Sequence, residues 1–186
     1  MKTCSFEQYV ETEETNLKLQ RRRTFEPKCT ISIKGNVLSF IEKQAQRATD
    51  KETGGIIGGF GSAEEGTIVI SHVSDGGPAA NCSPKFFSRD TQYCQRIVDK
   101  WASESSGKID YLGEWHKHFE KDPRPSFRDL QTLKEIARSP DYHVATALLL
   151  IIGSSNTRSS LRVFLIDHNG QCVSMDWQFW NKNLNT

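Results

Sequence analysis

Residues 113–130 read GEWHKHFEKDPRPSFRDL, and four of them carry side chains able to work together on one metal ion. His116 and His118 stand two apart, so on a strand both imidazoles leave the same face and can close on a single ion. Pro123 and Pro125 stop such a strand and hold the loop after it extended. On a helix starting at Ser126, Asp129 lies in the first turn on the same side as the serine. One carboxylate is thereby set beside two imidazoles. Two nitrogens and one oxygen, with a fourth position left for water, form the ligand set of a hydrolytic zinc site. Ser126-x-x-Asp129 ahead of Leu130 and Leu133 is also a capping-box-like helix start, sufficient to explain both residues without a metal. The histidine pair tips the balance, because the full spacing arises by chance in roughly one chain of this size in a few thousand. His72, His143 and His168 stand alone and read as ordinary surface or core.

The elements that must position these residues follow from the hydrophobic period. Ile31 and Ile33 alternate with polar neighbours as a short strand, and Val37, Leu38, Ile41, Ala45 and Ala48 then take a helical spacing. Residues 52–61 and 67–73 read as strands around a polar turn. Residues 77–90 read as loop and then a short strand. Tyr93, Ile97 and Trp101 are spaced by four on a helix from residue 91 to about 104. Residues 109–118 form a strand and 126 to about 138 a helix, followed by strands over 144–152, 161–167 and 172–177. Strands with interspersed helices in one chain argue a mixed α/β (α+β) domain.

The 186 residues fit one domain with short ends: an extension over 1–28, a domain over 29–180 and a tail over 181–186. The net charge is +1, from 24 Lys+Arg against 23 Asp+Glu, so bulk charge points to no nucleic-acid partner. The run Arg21-Arg22-Arg23 reads as a solvated face. Five scattered cysteines form no Cys-x-x-Cys and no disulfide framework. The first residues lack the apolar stretch of a secretory signal, and the apolar run 145–152 is too short to span a bilayer. A reduced, cytoplasmic protein with no membrane partner is expected.

HKHFEKDPRPSFRD matches His-x-His-x(7)-Ser-x(2)-Asp and resembles the JAB/MPN (JAMM) metalloproteases, bacterial members of conjugation operons above all. Residues 81–93, with Ser-Pro, Phe and Arg-Asp, resemble a segment of those members. Phe119 departs from the proline that many members carry after the second histidine. The resemblance implies a cytidine-deaminase-like three-layer sandwich, a central mixed β-sheet flanked by helices. It implies one Zn²⁺ held by His116, His118 and Asp129, with Glu52 of ETGGIIGG as general base. Ser126 would donate a hydrogen bond to the oxyanion.

It also implies the substrate: an amide bond after the C-terminal tail of a ubiquitin-like protein, or of a nucleotidyltransferase conjugated in anti-phage systems such as CBASS. Activating and conjugating enzymes of the same operon are the implied companions. The rivals are trimming of a ubiquitin-like sulfur-carrier precursor and a non-catalytic MPN scaffold, against which the intact Glu52, His116, His118, Ser126 and Asp129 set argues. A RadC-type, DNA-related role gains nothing from the near-neutral charge. The deaminase pattern His-x-Glu with Pro-Cys-x-x-Cys is absent. Glycines weaken a strand unless close approach requires them, so Gly58 and Gly59 are candidate contacts for an extended substrate tail, pairing by main chain. Tight sheet packing is the competing account.

Overall fold

Most strands lie at the positions their alternation indicates, and one continuous sheet collects all but two of them. The computed structural model describes residues 27–153 and 160–181. In order these form β1 (Thr30–Ile33), α1 (Gly35–Arg47), β2 (Gly54–Ser62), β3 (Thr67–Val73), β4 (Asn81–Ser83) and β5 (Phe86–Ser88). Then follow α2 (Thr91–Glu104), β6 (Asp110–His118), α3 (Phe127–Arg138), a 3-10 turn (Pro140–Tyr142), β7 (Thr146–Gly153), β8 (Ser160–Asp167), β9 (Cys172–Met175) and β10 (Trp177–Phe179). The eight-stranded sheet runs β10-β1-β3-β2-β6-β7-β8-β9, and β4-β5 is a separate hairpin. Pairing is mixed: β1 is parallel to β3 and β10, and β6 to β7, whereas β2 is antiparallel to both its neighbours.

Two apolar clusters separate the faces. Val37, Ile41 and Ala45 of α1 pack with Ile31, Ile57, Trp115, Leu148 and Val163 on one face. Cys94 and Trp101 of α2 join Leu133, Ile136 and Ala137 of α3 over Ile56, Leu149 and Ile151 on the other. Helices on both faces of a mixed sheet make the expected three-layer sandwich. β2 and β6 are the central pair and β7 lies beside them inside the sheet, with both of its faces in the apolar clusters, which explains why β7 is a near-continuous apolar run rather than an alternating one.

Two expectations change. Residues 172–177 are not one strand: the chain turns at Asp176, so that β9 closes one edge of the sheet and β10 the other. One residue separates those edges, so the sheet must curl far enough to bring its two ends together. Residues 81–88 fold as a complete hairpin with Cys82 opposite Phe87, not as a loop with one short strand. The charged runs expected to be solvated within 1–28, and most of the tail 181–186, lie outside the described residues.

Candidate metal centre

Strand alternation in β6 sends Glu114, His116 and His118 to one face and Trp115 and Lys117 to the other. On that other face the Trp115 indole donates to the Ser74 carbonyl at 2.8 Å, and the Lys117 ammonium donates to the Ala48 carbonyl at the end of α1. These two contacts fix the register of β6. Beyond the Pro-containing loop, α3 begins with a full capping box. The Asp129 N–H donates to Ser126 Oγ at 3.2 Å, and the Ser126 N–H donates to Asp129 Oδ2 at 2.7 Å. Capping and ligation do not compete. Asp129 turns its other oxygen, Oδ1, to 3.1 Å from His116 Nδ1, and Oδ2 lies 3.5 Å from His118 Nε2.

The ligand atoms of His116, His118 and Asp129 all lie within 4.8 Å of one another, and all three residues are buried. Tetrahedral zinc with bonds of about 2.0–2.2 Å sets its ligand atoms roughly 3.3 Å apart, so this donor set fits the ion and leaves one position open.

Glu52 reaches the site from the segment just before β2. Its N–H donates to the Ser83 carbonyl of the β4–β5 hairpin at 2.8 Å, and the next carbonyl, that of Thr53, accepts from the Lys117 N–H at 2.7 Å. Gly54 stands opposite His116 in the β2–β6 register. A Cβ there would lie 2.4 Å from the Trp115 carbonyl oxygen and 2.9 Å from the His116 ring, so only glycine lets β2 come this close. Glu52, His116, His118, Ser126 and Asp129 together line one cavity of about 350 Å³, with Lys85, Phe86 and Phe87 of the hairpin. The Phe87 ring meets His116 edge-on at 5.3 Å.

Gly58 and Gly59 are not brought to this cavity. They lie in the middle of β2, opposite Tyr111 and Asp110 at the start of β6, in a strand paired on both sides. With both sides of β2 occupied there, tight sheet packing, the competing account, is favoured over main-chain pairing of a substrate tail. A Cβ on Gly58 would strike the Trp101 ring at 2.6 Å, and one on Gly59 the Val69 carbonyl at 1.9 Å.

Burial pushes the Glu52 carboxyl above its ordinary range, partly opposed by the nearby His118. For His116, burial disfavours charge, but hydrogen bonds to Asp129 and Glu114 outweigh it and raise the imidazole to about 9. Burial likewise works against a charged Asp129, and the two histidines hold it well below the carboxylate range. These shifts set a pH response in the metal-free protein. The stabilisation from His116 is complete below its ordinary 6.5 and is lost as pH rises through about 9. That from Asp129 is present above 3.8 and is lost as pH falls below it. Thermal melts without metal should therefore show Tm falling between pH 6.5 and 9, and zinc should abolish the fall because ligation requires a deprotonated imidazole. A flat metal-free profile over that interval would contradict the charged His116.

Glu114 and Arg89 were not foreseen. Glu114 is buried on the ligand face, with Oε2 at 3.1 Å from His116 Nε2, and its other oxygen takes the Arg89 guanidinium. The alternation that singled out His116 and His118 already placed Glu114 beside them, so the signal was available two residues upstream.

Residues 36–165 match the family model described as prokaryotic homologs of the JAB domain. The chain is 33% identical over 124 residues to a probable metalloprotease of Sinorhizobium fredii, the match covering 66% of this chain and 74% of that protein. It is 26% identical over 125 residues to a CD-NTase/cGAS isopeptidase of Enterobacter hormaechei, covering 67% of each. A CD-NTase/cGAS isopeptidase of Escherichia coli is 34% identical over 84 residues, 45% of this chain and 53% of that one. In fold, the chain resembles the solution structure of a Desulfitobacterium hafniense protein, with a TM-score of 0.61 at 22% identity. That likeness covers 84% of this chain and 96% of the other.

Proposed function

Because the chain belongs to the family of prokaryotic JAB-domain homologues, we propose that it is a zinc-dependent isopeptidase. It hydrolyses the amide bond after the C-terminal tail of a conjugated protein. The names of its relatives favour a tail of CD-NTase type, and hence a deconjugation step in bacterial anti-phage defence, over a generic ubiquitin-like tail. Activating and conjugating enzymes are the companions such chemistry requires. A JAB-type protease or isopeptidase is the enzyme class, and the observation that carries it is the convergence of His116, His118 and Asp129 beside Glu52 in one cavity.

A bound zinc ion supplies Lewis acidity, lowering the pKa of a water and polarising the scissile carbonyl. The Glu52 carboxylate takes a proton from the attacking water and delivers it to the departing amine. In the metal-free protein, burial holds the Glu52 carboxyl above its ordinary range, partly opposed by His118. The Ser126 oxygen accepts from the Asp129 N–H, which leaves its own hydroxyl proton to donate to the carbonyl oxygen as that oxygen gains charge. Phe86 and Phe87 line the same cavity and exclude water from its wall.

The test is cleavage of a lysine-linked CD-NTase-type conjugate by zinc-loaded protein, beside a linear fusion carrying the same tail. Release of the lysine-linked protein, abolished by a chelator and restored by zinc, is the expected result. Cleavage of the linear fusion alone would favour precursor trimming. Absence of both cleavages with zinc in place would overturn the proposal and return the scaffold reading.

A further inference from the structure

His116 is held from both ends, and only one end belongs to the metal cluster. Nδ1 faces Asp129, whereas Nε2 faces the Glu114 carboxylate at 3.1 Å. The Glu114 oxygen not used by His116 is bonded by Arg89, whose other terminal nitrogen donates to the Tyr142 hydroxyl at 2.9 Å. Arg89 is fixed in turn by the start of α2. Asp90 caps that helix by accepting from the Tyr93 N–H at 3.0 Å, and its own N–H donates to the Gly76 carbonyl at 2.7 Å. A chain of contacts thus runs from two elements that hold no metal ligand, α2 and the turn at Tyr142, to one imidazole nitrogen. Among the described residues, His118 has no comparable support. The acid beside its Nδ1 is Glu120, which is exposed and lies 3.8 Å away.

We infer that Glu114 and Arg89 are positioning residues for His116: they hold its ring with Nε2 protonated and Nδ1 turned to the metal. This rests on reading the His116, His118 and Asp129 cluster as a metal site. A neutral imidazole has one donor and one acceptor nitrogen, and an ionised carboxylate can only accept. Glu114 therefore selects the Nε2–H form, which presents the Nδ1 lone pair where Asp129 and His118 converge. Stability alone is a poor account of the pair. Desolvating two charges generally cancels what their attraction returns, so a buried pair gains little over apolar residues of the same volume. Orientation of a ligand is a task that apolar residues cannot perform.

The test compares full-length wild type, Glu114→Gln, the double variant Arg89→Met with Glu114→Leu, and Glu120→Gln. Zinc affinity is read by chelator competition, and fold by metal-free thermal melts. Long-range proton–nitrogen NMR of the zinc-loaded protein reports the ring tautomer. The double variant removes both charges at similar volume, so it avoids leaving a lone buried ion. It should bind zinc about 10–100-fold more weakly and lose the Nε2–H signal of His116. Glu114→Gln keeps one acceptor and should fall between it and wild type, and Glu120→Gln should match wild type. Equal affinity and an unchanged ring signal in wild type, Glu114→Gln and the double variant would overturn the inference while leaving the metal site standing. No zinc in wild type, or equal zinc in Asp129→Ala, would instead remove the metal site itself.

Discussion

Glu52→Gln should bind zinc as wild type does and lose about 10²–10⁴-fold in kcat. Glu52 lines the metal cavity but is not one of the three residues whose ligand atoms converge there, so metal uptake does not depend on it. Glutamine fills the same volume, and the main-chain bond to Ser83 that sets this residue in place is untouched. What disappears is a group able to take up and release a proton. The loss should fall on kcat rather than KM, because the proton moves only in the chemical step. Zinc content per chain and single-turnover cleavage of a tail conjugate, measured on one preparation, decide the matter. Wild-type turnover in Glu52→Gln would remove Glu52 from the mechanism. Ser126→Ala offers the contrast: it also keeps zinc, but its hydroxyl assists the carbonyl oxygen without moving the proton, and it caps α3 as well.

Asp129→Ala should lose zinc and activity together, and it should also lose the N3 half of the capping box, the bond from the Ser126 N–H to Asp129 Oδ2. The two effects separate with Asp129→Asn. Asparagine can still accept the Ser126 N–H through its carbonyl oxygen, which keeps the cap, but it offers no charge to the ion and a donor where His116 or His118 needs an acceptor. Asp129→Asn is thus expected to melt closer to wild type than Asp129→Ala in the absence of metal, short of it by the charge that faces His116 and His118, and still fail to retain zinc through a chelator wash. If both variants keep zinc, Asp129 is a helix cap and nothing more.

The helix at Thr91–Glu104 and the strand at Thr67–Val73 fall where the hydrophobic period puts them, because each presents one apolar face to one layer of the core. The three residues of the candidate metal cluster were legible for a different reason. A two-residue spacing on a strand and a three-residue spacing in a first helical turn each fix a face locally, with no tertiary information needed. The glycines of β2 show the limit. Gly54 and Gly58 look alike in sequence, yet one is required by the approach of His116 and the other by the Trp101 ring, and only the packing tells them apart. The break at Asp176 was hidden too, since apolar residues alternate through Val173, Met175 and Trp177 without interruption. Nothing in that alternation says that the chain leaves β8 and joins β1. Arg89 lies 25 positions before Glu114, and an ion pair between positions that distant leaves no periodic trace.

The turn at Asp176 gives the molecule a seam. Ile31–Trp177, Ser32–Gln178 and Ile33–Phe179 are the pairs that hold β10 against β1. Three strands, β1, β3 and β2, separate β10 from the strand that carries His116 and His118. A force applied at the C-terminal end therefore meets a three-residue fastening first and reaches the long β2–β6 and β6–β7 ladders only after it has given way. Pulled from that end, the protein would open like a jacket at its closure, with the ligand-bearing strand among the last parts to come loose.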